Sequence, residues 1–104
     1  MDVLLRIKRL VVQGRVRFAE KARDEMEADG LAPSDVVESV LNAQTIDKTL
    51  RSRSQQRRHR REKLYVIKSF NFSGTLIYTK GAIVPEADHE VFYIFISAKI
   101  ATAE

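Results

Sequence analysis

The chain has 104 residues, is 44% hydrophobic and contains no cysteine. That length supports one domain, residues 1–104, with a modest core, and the missing cysteines exclude disulfide scaffolds, thiolate zinc sites and cysteine nucleophiles. The net charge of +4 is unevenly spread: residues 48–63 carry +7, through six arginines and two lysines against one acid, and leave −3 for the rest.

Met1–Arg9 is broken by charges too often for a signal peptide. No apolar run approaches the length of a bilayer span, so no membrane partner is expected, and the absence of cysteine fits a cytoplasmic location. Val3–Gln13 places apolar residues at 3, 4, 7, 10 and 11, one face of a helix, and Gly14 reads as its stop. Arg15–Asp29 reads as a second amphipathic helix starting near Phe18 and ending at Gly30. Ala32-Pro33-Ser34-Asp35 is a helix start, with either Pro33 in the first turn or Ser34 as the cap. Val36, Val37, Val40 and Leu41 then give a third helix, ending around Asn42-Ala43.

Beyond this point the period changes from helical to alternating. Thr45–Ser52 reads as a first strand and Leu64–Phe72 as a second. Ser73-Gly74 is a tight-turn signature that pairs Leu64–Phe72 with Thr75–Val84 as a hairpin. Pro85–His89 is a loop, and Glu90–Ile100 the last strand. Helices followed by antiparallel strands predict an α+β domain: three N-terminal helices packed on a twisted antiparallel sheet of three to four strands.

Strand parity sharpens this. In the last strand Phe92, Ile94, Ile96, Ala98 and Ile100 share the face expected to meet the helices, and Tyr93, Phe95, Ser97 and Lys99 share the other. Tyr78 and Lys80 share one parity in the preceding strand, opposite Ile77, Thr79 and Ile83. A face carrying Tyr78, Lys80, Tyr93, Ser97 and Lys99 offers cations for phosphates and rings for bases. Exposed antiparallel faces also carry Tyr, Thr and Lys simply for packing and solubility.

The basic run, with Arg51, Arg53, Arg57, Arg58, Arg60 and Arg61, suits phosphate, which arginine grips in a planar, bidentate way. RNA is its expected partner; the duller readings are a solvated loop or a dock for an acidic protein segment. It lies between the strand carrying Lys48 and the hairpin carrying Tyr78, where it would overhang the sheet face. Within it, His59 among arginines is expected to stay neutral and could accept a proton; the plainer reading is a solvated histidine. His89, between Asp88 and Glu90, reads as a surface residue with no role.

Ile7-Lys8-Arg9-Leu10-Val11, Gly14-Arg15-Val16-Arg17, Ala22, Gly30-Leu31 and Asp47-Lys48-Thr49-Leu50 form an ordered set. Gly74, Tyr78-Thr79-Lys80 and Ser97-Ala98-Lys99 continue it. In this order the chain resembles the family of the motility quorum-sensing regulator toxin, MqsR. The resemblance implies a RelE-like bacterial RNase fold and an mRNA interferase of a type II toxin–antitoxin pair. Its mRNA would be cleaved without metal or other cofactor, through attack of the ribose 2′-hydroxyl on the adjacent phosphate. The implied protein partner is a cognate antitoxin with zinc-binding and helix-turn-helix parts. Lys48, Tyr78 and Lys99 fall on positions the family uses: Lys48 for proton transfer or phosphate binding, Tyr78 for orientation or proton transfer, and Lys99 for phosphate. A lysine base needs a lowered pKa, which Arg51 and Arg53 would supply. The RNA-binding set is Arg51, Arg53, Arg57, Arg58, Arg60, Arg61, Lys80 and Tyr93. The departure from the family is the span Ser54–Arg61, far more basic here, where either Gln55 or Gln56 could supply the family's glutamine. A non-catalytic nucleic-acid-binding module, or an inactive relative of these toxins, is the alternative.

Overall fold

A computed structural model describes residues 2–51, 63–86 and 91–102. The calls on His59, Arg53, Arg57, Arg58, Arg60, Arg61 and His89 lie outside the described residues. Three helices, α1 (Val3–Val12), α2 (Glu20–Asp29) and α3 (Pro33–Asn42), and five strands, β1 (Val16–Phe18), β2 (Lys48–Arg51), β3 (Lys63–Phe70), β4 (Leu76–Pro85) and β5 (Val91–Ile100), make an α+β fold. The sheet order is β1-β5-β4-β3-β2. No helix among the described residues is long and apolar enough to cross a membrane.

The helix ends follow their local chemistry. Asp2 caps α1 by accepting from the Leu4 amide at 3.1 Å. At its other end Gly14, at φ 76°, lets Gly14 N donate to Val11 O and Arg15 N donate to Leu10 O, the paired bonds of a glycine-stopped helix. Pro33 is the first residue of α3, and Asp35 Oδ2 accepts from the Ala32 amide at 2.8 Å. The β3–β4 turn is held by Asn71 Oδ1, which accepts from Ser73 N and Thr75 N.

The sheet departs from expectation in two ways. First, it has five strands and is mixed. Val16–Phe18, expected at the start of a helix, is instead an edge strand parallel to β5, with Val16 opposite Tyr93 and Phe18 opposite Phe95. Valine and phenylalanine flanking Arg17 suit a half-buried strand, and Phe18 stacks on Phe95 at 4.9 Å. The helix therefore starts only at Glu20.

Second, β5 changes parity midway. Lys80 pairs with Ser97 but Gly81 pairs with Phe95, so Ile96 has no partner in β4. One extra residue of this kind is a β-bulge, and it exchanges the faces of everything on one side of it. Before the bulge Tyr93 and Phe95, expected on the open face, turn into the core with Ile7, Val36, Val40 and Ile67. After it Ala98 is in the core and Lys99 faces outward, as the alternation predicts. Tyr93 is 0% exposed and meets Phe95 edge-on, so its place in the RNA-binding set is corrected: it is a core residue.

The helices cover one face of the sheet, and α2 also runs beside its β5 edge. β1 pairs with β5 only as far as Phe95. Beyond that, Glu25 Oε1 accepts from Ala98 N at 3.1 Å and Asp29 Oδ2 accepts from Ile100 N at 2.8 Å. Two carboxylates one helical turn apart thus satisfy the edge amides that a neighbouring strand would otherwise take.

Tyr93 requires space above β4. A Cβ on Gly81 would stand 2.6 Å from Tyr93 Cζ and Oη, and the fully buried ring has no free direction in which to yield. Gly81→Ala should destabilise by about 1–3 kcal/mol in chemical denaturation, the usual cost of overpacking. The Tyr93 hydroxyl has no hydrogen-bond partner among the described residues. Tyr93→Phe should therefore be neutral or stabilising by up to about 1 kcal/mol. Burial, and then Tyr65, push the Tyr93 phenol well above its ordinary pKa. The native state then holds a proton that the unfolded chain releases from about pH 10, so this contribution is full below that pH and is lost as pH rises. The phenylalanine variant should lose less stability above pH 10.

Candidate nucleic-acid interface

The face remote from the helix-packed core carries two rows of side chains, fixed by strand register. Lys68 on β3 is opposite Tyr78 on β4, which is opposite Lys99 on β5. The next row runs Lys48 on β2, Val66 on β3, Lys80 on β4 and Ser97 on β5. These side chains share the face because register partners point the same way. The structure thus brings Lys48, Tyr78, Lys80 and Lys99 together and adds Lys68. Arg51 is exposed at the end of β2, where it pairs with Lys63. Those two residues bracket the basic run.

Ser97 is a partial correction. It holds the expected register but is only 2% exposed, and its hydroxyl donates to Glu25 Oε1 at 2.6 Å. It is thus withdrawn from the open surface.

Lys99 is the hub of the outer row. Its Nζ lies 5.4 Å from the centroid of the Tyr78 ring and 4.0 Å from Glu25 Oε2. Its side chain is 49% exposed, so this is a weak ion pair that leaves the ammonium open to other anions. Lys68, Tyr78, Lys99 and Asp29 line an open cleft of about 630 Å³ with Ile100–Thr102. A shallower depression of about 420 Å³ is lined by Leu50, Arg51, Leu64 and Lys80.

The Tyr78 phenol is pushed above its ordinary pKa, first by burial and then by the negative charges of Glu25 and Asp47. It stays protonated across the neutral range, so it is a proton donor rather than a base. Lys48 is farther off. Strands lie about 4.8 Å apart, and Lys48 is two strands away and two residues out of register, which puts its backbone about 12 Å from that of Tyr78. Among the described residues no group of three or more His, Asp or Glu could hold a metal ion.

Glu25, Asp29 and Lys68 were missed by the sequence reading. Lys68 was within reach of it: counting back from the Ser73-Gly74 turn sets it opposite Tyr78. Glu25 and Asp29 carried only the (i, i+4) spacing common to any solvated helix face.

No protein-family model, no curated protein and no solved structure matches the chain significantly.

The electrostatics of the cleft can be tested directly. Glu25→Gln removes one of the negative charges that raise the Tyr78 phenol. Its titration midpoint, followed by NMR of the ring carbons, should move down toward the ordinary value near 10.

Proposed function

We propose that the protein is a metal-independent endoribonuclease, an mRNA interferase toxin of a type II toxin–antitoxin pair with a RelE-like, MqsR-like fold. In this reading it acts on mRNA in the cytoplasm and is held inactive by its cognate antitoxin. The observation that carries it is the Lys68–Tyr78–Lys99 row, set beside Lys48 and Lys80 on the open sheet face. Cleavage through the 2′-hydroxyl needs cations at the phosphate and a proton donor for the departing 5′-oxygen. Lys99, Lys68 and Lys80 supply the first. Tyr78, with its raised pKa, suits the second. Lys48 serves proton transfer or phosphate binding. The +7 of residues 48–63 would draw RNA to the protein. An antitoxin with an acidic segment would inhibit by covering the same cations.

The distance of Lys48 from Tyr78 favours a second reading, a nucleic-acid-binding module without catalysis. Incubating the protein with a long mRNA in EDTA separates the two. Cleavage with 5′-hydroxyl ends is the expected outcome, and binding without cleavage is that of the module. Loss of cleavage in EDTA alone would sink the metal-free mechanism. Lys48→Ala and Tyr78→Phe should each lower the cleavage rate by roughly 100-fold or more. Affinity for an RNA lacking the attacking 2′-hydroxyl should fall far less. Normal cleavage by both variants would remove these residues from the site.

A further inference from the structure

We infer that Glu25 is the general base of the site. The inference rests on the RNA-cleavage reading and completes it, by naming an acceptor for the proton of the attacking 2′-hydroxyl.

The geometry assigns different tasks to the two carboxylate oxygens. Oε1 accepts from Ser97 Oγ at 2.6 Å and from Ala98 N at 3.1 Å. Those bonds fix the carboxylate at the β5 edge. Oε2 is directed to Lys99 Nζ at 4.0 Å, an ammonium that also stands 5.4 Å from the Tyr78 ring centroid. Acceptor, cation and donor therefore adjoin one another, from α2, β5 and β4. The Glu25 side chain is 21% exposed, so it is not sealed from solvent beside Lys99. The charged and titratable groups that face it are Lys99 and Tyr78 on the sheet, with Lys21 and Asp29 one turn away on its own helix.

The step balances as follows. Glu25 Oε2 takes the 2′-hydroxyl proton while O2′ bonds to phosphorus. The P–O5′ bond breaks, and Tyr78 gives its phenolic proton to O5′. The products are a 2′,3′-cyclic phosphate and a 5′-hydroxyl. Solvent then carries the proton from Glu25 back to Tyr78. Lys99, between the two, faces the charge that gathers on the non-bridging oxygens. Lys48, two strands away and two residues out of register, about 12 Å from the Tyr78 backbone, is too far off to take this proton.

The test uses Glu25→Gln, whose amide oxygen can still accept from Ser97 and Ala98 but cannot hold a proton in the same way. Cleavage of an oligoribonucleotide should fall at least about 100-fold, while affinity for its 2′-O-methyl analogue stays within about threefold or tightens. Glu20→Gln, an exposed acid at the start of the same helix, should retain the native rate. A substrate with sulfur at the 5′ bridging position, whose leaving group needs no acid, should restore the Tyr78→Phe rate and leave Glu25→Gln slow. If the glutamine variant does not fold, the native protein on that substrate decides. A native rate that levels off below about pH 8 supports the inference; a rate still climbing through about pH 9 overturns it. Cleavage by Glu25→Gln within about threefold of native also overturns it. Failure of the native protein to cleave any RNA would instead overturn the enzyme reading beneath it.

Discussion

A single extra residue in β5 decides which side chains this protein buries and which it presents. Without the bulge at Ile96, strict alternation would put Tyr93, Phe95 and Lys99 on the same face. Either the lysine would be driven into the core or two aromatic rings would be exposed. The bulge lets one strand contribute Tyr93 and Phe95 to the helix-packed core and, four residues after Phe95, an ammonium to the opposite surface. Gly81, where the register shifts, leaves room for the Tyr93 ring. The outer row of Lys68, Tyr78 and Lys99 thus depends on packing on the other side of the sheet.

The parts of this fold that were legible in the sequence are those governed by local chemistry. Gly14 and Gly30 stop helices where a left-handed residue is needed, and Ser73-Gly74 turns the hairpin that sets Lys68, Tyr78 and Lys80 in register. Tyr78, Lys80 and Lys99 shared a face as their parity implied. What was not legible depends on partners distant in sequence. Val16 and Phe18 fit a helical stripe as well as a strand, and only pairing with Val91–Ile100 decides between them. A bulge leaves no mark in an apolar run such as Val91–Ile96, so the Tyr93 error could not be avoided by counting. The acids of α2 looked like an ordinary solvated face; their role follows from the β5 edge they lie beside.

That edge links stability to the character of the site. A sheet edge left unpaired exposes amides to water or to another chain. Here β1 covers the first half and the Glu25 and Asp29 carboxylates cover the second. A third neutral strand segment would have satisfied the same amides without introducing charge. Carboxylates in that position bring negative charge to the border of a cationic surface, and that of Glu25, after burial, raises the pKa of the Tyr78 phenol.

The same charge poses a difficulty for any polyanion, since a phosphate approaching Tyr78 also approaches Glu25 and Asp29. The resolution lies in placement and number. Lys68 and Lys99 flank Tyr78 in its own row, and Lys48 and Lys80 lie in the next, so four ammonium groups outnumber the carboxylates of Glu25, Asp29 and Asp47. Glu25 and Asp29 also each have an oxygen engaged by backbone amide at the edge, which spreads part of their charge into the sheet. A phosphate lying along the two rows meets the lysines first, and its nearest carboxylate oxygen is the one paired to Lys99. Acid and anion can then share the surface, provided Lys99 stays between them. On the proposed reading this makes Lys99 more than an extra positive charge, because it is the group that lets a carboxylate stand beside the phosphodiester it would help to cleave.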